Sequence, residues 1–125
     1  MVTADDVRAI ALALPRAYEA LVGDRVKFRV GRIVFLSLSR DETVLGFGYP
    51  KEERAALVAS EPEKFHMPLK SDMRYNWVRV WLSAIDDAEL YDLIVFSWQM
   101  TVPTAIREEY YTTHRRPGER HPSRG

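Results

Sequence analysis

Cysteine is absent from the 125 residues. Disulfides, thiol nucleophiles, iron–sulfur clusters and thiolate zinc sites are thereby excluded, and a reducing compartment suits such a chain. Long apolar runs are also missing. The longest, Ala9 to Leu14, is six residues, against about 20 for a bilayer span. The opening Met-Val-Thr-Ala-Asp-Asp carries no basic flank of the kind a secretory signal needs. A cytoplasmic location, away from membranes, is the expectation. Neither sign of charge is in excess: Lys+Arg and Asp+Glu are 18 each. No global basic bias advertises nucleic acid, and no acidic bias a solvating tail. The glycines form no phosphate loop, Gly-x-Ser-x-Gly elbow or dinucleotide fingerprint, and Gly46-Phe47-Gly48 matches none of these.

What is present is an ordinary globular balance, 46% apolar and 29% charged, in a length that suits one domain with one core. Thr3 and Asp6 have capping-box spacing, and Val7, Ile10, Ala11 and Leu14 follow at i, i+3, i+4 and i+7. This predicts a helix over residues 4 to 14, stopped by Pro15. From Arg25 the period changes to two. Val26, Phe28 and Val30 alternate with Arg25, Lys27 and Arg29, and Gly31-Arg32 separates them from Ile33 to Leu38. A two-residue loop with glycine first predicts a type II′ hairpin, pairing Val30 with Ile33 and Phe28 with Phe35. That register sets Val34, Leu36 and Leu38 on the face opposite Phe28.

A third strand is expected over 43 to 49, with Gly46 and Gly48 marking a weak point, a bulge or a close backbone approach. Pro50 opens a short helix over about 51 to 60, pinned inward by Leu57 and Val58. Residues 61 to 75 have no clean period and read as loop. Asn76 to Leu82 alternates again, Val78, Val80 and Leu82 against Trp77, Arg79 and Trp81. Asp86 and Glu89 then stand at capping-box spacing before Leu90, Leu93, Ile94 and Trp98, a helix of 86 to about 101. Pro103 breaks or restarts it. The order of elements is that of an α+β domain, an antiparallel sheet with helices packed on one face, over residues 1 to 105. Residues 106 to 125 read as a basic, flexible tail, with Tyr110 and Tyr111 docking its start onto the domain.

The run Lys27-Phe28-Arg29-Val30-Gly31-Arg32 leading into Phe35 resembles the first hairpin of the MmcQ/YjbR family. So do Asn76-Trp77-Val78-Arg79-Val80, Asp86-Asp87-Ala88-Glu89-Leu90 and Ser97-Trp98, an ordered set spanning roughly residues 3 to 103. The resemblance implies a frataxin-like fold, sometimes described as a double-wing DNA-binding domain, and implies no established catalytic residues. The chain departs from the family pattern in having Asn76 where His is frequent and Trp81 where an acidic residue is common.

The candidate site is one face of the sheet. With Phe28, Val30, Val78 and Val80 turned to the helices, the other face presents Arg25, Lys27, Arg29, Trp77, Arg79 and Trp81, with Arg32 at the hairpin tip as a wing. Rings interleaved with cations hold single-stranded nucleic acid by stacking on bases and meeting phosphates. The same alternation also describes plain exposed strand residues paired as cation–π contacts. A protein partner, or a second copy docked on the Trp/Arg face, is the alternative. The tail is a second cationic element, Arg107, Arg115, Arg116, Arg120 and Arg124 against Glu108, Glu109 and Glu119.

No metal or organic cofactor is expected. His66, His114 and His121 form no helical pair, and Asp5 and Asp6, the only carboxylates of the first helix, are explained by capping and the helix dipole. Catalysis has no visible apparatus; Ser37 and Ser39 bear no telling spacing to His66, and His66 with Asp72 are the first suspects.

Overall fold

A computed structural model describes residues 1–118. The element order is α1 (Ala4–Ala11), β1 (Ala17–Val22), β2 (Arg25–Val30), β3 (Ile33–Leu38), β4 (Val44–Gly48), α2 (Arg54–Ser60), β5 (Phe65–His66), β6 (Trp77–Trp81), α3 (Asp87–Gln99) and α4 (Thr104–Tyr111). The six strands form one antiparallel sheet in the order β1-β2-β3-β4-β6-β5. No helix of the described residues is long and apolar enough to cross a membrane.

Both predicted capping boxes form. Asp6 and Glu89 receive the N-cap amides of Thr3 and Asp86, while their own amides donate to the Thr3 and Asp86 side chains. The stripe of α1 buries Val7 and Ala11 and is extended by Leu14. It meets Leu90, Ile94, Val95 and Trp98 of α3, and both helices lie on the sheet face that carries Phe28, Leu36, Leu38, Leu45, Phe47, Val78 and Val80. Trp98 is wholly buried, and its indole N–H donates to Pro15 O at 2.9 Å.

The hairpin at Gly31 forms with Val30 opposite Ile33, Gly31 at φ +61° and Arg32 outside the left-handed region. Its register is then corrected by a bulge. Phe28 pairs with Leu36 rather than Phe35, because an extra residue enters β3 between Val34 and Leu36. The slip turns Leu36 and Leu38 into the core, where both are fully buried. Only Val34 of that trio stays opposite Arg29, on the face away from Phe28. The second face is consequently more polar than the unbulged register predicts.

Three further differences concern stretches without a clean period. The edge strand β1 pairs with β2 along its whole length, yet Ala-Tyr-Glu-Ala-Leu-Val has no two-residue alternation to announce it. Within 61 to 75, Phe65 and His66 pair with Val80 and Arg79, and Lys70–Asp72 make a single 3-10 turn. Beyond Pro103 the chain is no free tail as far as residue 118. It forms α4, whose Tyr110 packs edge-on to Trp98 at 5.1 Å, and Arg115 pairs with Asp92 at 2.8 Å. Arg120, His121 and Arg124 lie outside the described residues.

Candidate functional site

The sheet face opposite the α1/α3 core holds a groove of about 750 Å³. Strand pairing decides what lines it. Lys27 lies opposite Ser37, Ser37 opposite Gly46, and Gly46 opposite Arg79, so these four form one row across β2, β3, β4 and β6. Arg25 and Val44 border one end of the groove, Arg32, Ile33 and Gly48 the other. The segment before β6 contributes Leu69, Asp72, Tyr75 and Asn76 as a wall.

Gly46 is part of the floor because the Trp77 indole lies over it. A Cβ at position 46 would stand 2.6 Å from the indole nitrogen, closer than any side chain tolerates. Gly48 has a different reason. β3 and β4 pair only from Leu36–Phe47 to Leu38–Leu45, and beyond that the strands separate. The Ser97 hydroxyl of α3 bridges the gap, accepting from Gly48 N–H at 2.8 Å and donating to Phe35 O at 2.5 Å. A Cβ on Gly48 would meet that hydroxyl at 2.9 Å. Through this opening the groove reaches Met100 and Thr101 at the end of α3.

The wall is held by Arg54, which is 6% exposed. Its guanidinium donates to the carbonyls of Met73, Tyr75 and Trp77, clamping the chain as it enters β6. Asn76 adds a second tie, accepting from Lys51 N–H at 3.0 Å through its side chain and from Tyr49 N–H through its carbonyl. No pattern in the chain announces the clamp, since Arg54 begins an Ala-rich helix where a cation reads as solvent-facing. The Gly-x-Gly pair did signal the close approaches.

Of the residues predicted for the site, Arg25, Lys27, Arg32, Trp77 and Arg79 line the groove. Arg29 and Trp81 do not. Arg29 lies between Tyr18 and Val34, with its Nε buried and unpartnered. Trp81, 43% exposed, packs against His66 with ring centres 5.1 Å apart and planes tilted by 38°, near the β5 edge. The four cations of the groove face one carboxylate, Asp72. Among the described residues none of the four is in an ion pair; the pairs there use Arg8, Arg40, Lys64, Arg115 and Arg116. Arg79 donates through Nε to Met67 O at 3.1 Å, which fixes its guanidinium.

His66 and Asp72 do not share a wall: Asp72 lines the groove and His66 does not. Burial, and after it the Arg79 charge, push the His66 imidazole below its ordinary value, and its Nε2 is buried without a partner. Asp5 pairs with Arg8 and Asp6 closes its capping box, so both are used locally. In the segment after Pro103, Arg107 donates to Gln99 O and Arg116 pairs with Glu108, which holds these cations on the domain.

Comparison with known proteins bears on the fold. The crystal structure of Deinococcus radiodurans protein DR2400, described as a DUF419 domain, superposes with a TM-score of 0.73 over 97% of both chains at 20% identity. No curated protein matches the sequence. A family profile, YjbR, matches residues 12–100, and with most of the chain inside that match, this protein belongs to the YjbR family.

Proposed function

We propose that the groove is a nucleic-acid-binding surface that takes an unpaired strand and performs no chemistry on it. The observation that carries this reading is the set of groove cations without carboxylate partners among the described residues, Arg25, Lys27, Arg32 and Arg79, around a floor made by the Trp77 indole on Gly46. Phosphates supply the missing counter-charge, and a base offers its face to an indole in a half-open groove. Whole-chain neutrality is no obstacle, since the cations of this face are free of the ion pairs that occupy other surfaces. The hairpin at Gly31-Arg32 borders the groove and serves as its wing. Family membership supports the reading by resemblance only.

Fluorescence anisotropy with labelled single- and double-stranded oligonucleotides, at low and near-physiological salt, tests it. The variant is Arg25→Ala/Lys27→Ala/Arg32→Ala, three side chains that hold nothing else in the fold. Saturable binding of the single strand is expected, with a salt slope that falls by about 0.7 for each phosphate contact removed. Binding untouched by the triple change places the site elsewhere. No binding at low salt overturns the reading and leaves a protein partner on the Trp/Arg face as the successor. Competition by a free mononucleotide with full affinity would replace the strand by a small anionic ligand, for which a groove of this volume is also large enough.

A further inference from the structure

The two edges of the sheet are unlike. At one end β5 is two residues long, too short to template another strand. At the other, β1 offers six residues, Ala17–Val22, with one side unpaired. Open edges are ordinarily protected by proline, lysine, a bulge or a covering element. β1 has none of the first three: its pairing with β2 is regular, and Ala-Tyr-Glu-Ala-Leu-Val contains one charge. That charge, Glu19, is occupied by Arg8 of α1 at 3.2 Å. Tyr18, Leu21 and Val22 are exposed, Leu21 to 71%.

We propose that β1 pairs antiparallel with β1 of a second copy of this chain. The backbone specifies which residues meet. The Ala17 N–H is given to Leu14 O at 3.2 Å and not to β2. In an antiparallel ladder the outward groups then belong to every second residue, Glu19 and Leu21. A two-fold axis through Ala20 sets Glu19 of each copy against Leu21 of the other, as a hydrogen-bonded pair made twice. The same axis brings Tyr18 opposite Val22. It also carries Arg16 of each copy to the Gly23-Asp24 turn of the other, so two opposite-charge contacts close the ends. Asp24 already pairs with Arg40 at 2.8 Å, but that pair is solvent-exposed, the Asp24 side chain to 63%, so Arg16 of the other copy can reach the same carboxylate. This self-complementarity of charge under one axis favours a second copy over a foreign strand.

Such an axis is perpendicular to the sheet, so both core faces lie on one side and both grooves on the other. The pairing is independent of what the groove binds.

Sedimentation velocity of the full chain from micromolar to millimolar concentration reads it directly. The expected species is a reversible dimer of twice 14.5 kDa. Leu21→Glu, which sets a second carboxylate opposite Glu19 of the other copy, and Asp24→Arg, which sets like charges opposite each other at the ends, each raise the dimer dissociation constant about tenfold or more. Both positions are exposed, and circular dichroism confirms that the variants fold. The exchange Arg16→Asp/Asp24→Arg restores the dimer. A wild type that stays monomeric throughout overturns the proposal. So does a dimer indifferent to Leu21→Glu, or one that the charge exchange fails to restore.

Discussion

Arg54 and His66 show how single side chains act on the groove without lining it. Arg54 is a nearly buried cation whose partners are three carbonyls of the segment leading into β6. Replacing it by Met keeps most of the volume and leaves those carbonyls unanswered, at about 1–3 kcal/mol for each that water cannot reach. Arg54→Met is therefore expected to lower stability by about 3 kcal/mol or more, read as the urea midpoint, with Arg54→Lys falling between. Loss below about 1 kcal/mol would show that the segment holds itself. His66 supplies a pH dependence. Its folded-state affinity for a proton is reduced by burial and by Arg79, so the unfolded chain binds that proton more readily. Stability from this group is complete above the unfolded value of 6.5 and is lost as the pH falls from there through the folded value. His66→Gln removes the effect. The wild type should lose more stability than the variant between about pH 7.5 and about pH 5.5, and parallel curves would refute the assignment.

At the level of elements, the groove reaches the end of α3 because β3 and β4 separate and α3 fills the breach with one hydroxyl. Ser97 answers Gly48 N–H and Phe35 O together, both in the interior. Ser97→Ala strands both, and a loss of about 2–4 kcal/mol is expected, with faster amide exchange at Gly48 and neighbouring β4 amides. Unchanged exchange there would mean the strands are held by their remaining pairs. The same region shows what a sequence reveals about elements. α1, α3, the Gly31 hairpin and β6 were legible because each combines a period with a stop or a cap. The bulge was not, since Val-Phe-Leu in β3 is apolar at every position and gives no clue to which residue is supernumerary. β1 was hidden because an edge strand has no buried face to impose alternation, and its residues also suit a helix. The candidate site followed the same division. Arg25, Lys27, Trp77 and Arg79 come from alternation in β2 and β6, which pairing through β3 and β4 sets on one face, with those two strands between them. Arg54, Asn76 and Ser97 act through contacts across 19 to 62 residues of chain, which no local pattern records.

For the whole molecule, the balance of charge and the closure of the core are both matters of distribution. Equal numbers of cations and carboxylates do not cancel locally: Arg8, Arg40, Lys64, Arg115 and Arg116 take up carboxylates, and the groove cations take none. The core is likewise completed by segments outside residues 12–100, the stretch that matches the family profile. Val7 and Ala11 come from the first helix, and α4 caps the far side of α3. Tyr110 covers Trp98, Tyr111 donates to Gln99 at 2.7 Å, and the Tyr91 hydroxyl donates to Arg115 O at 2.9 Å. A chain ending at Pro103 loses this cover while keeping every strand and the whole groove. The burial removed with Tyr110 and its neighbours is comparable to truncating a large core aromatic, about 3–5 kcal/mol. A domain of this size has about 5–15 kcal/mol in all, so the shortened chain should fold with a much lower urea midpoint. Its Trp98 emission should shift to the red as the indole meets water. Oligonucleotide affinity at low temperature, where the shortened chain is still folded, should match the full protein, because Arg25, Lys27, Arg32 and Arg79 are untouched. Loss of stability and affinity together would instead make the segment after Pro103 part of the binding surface.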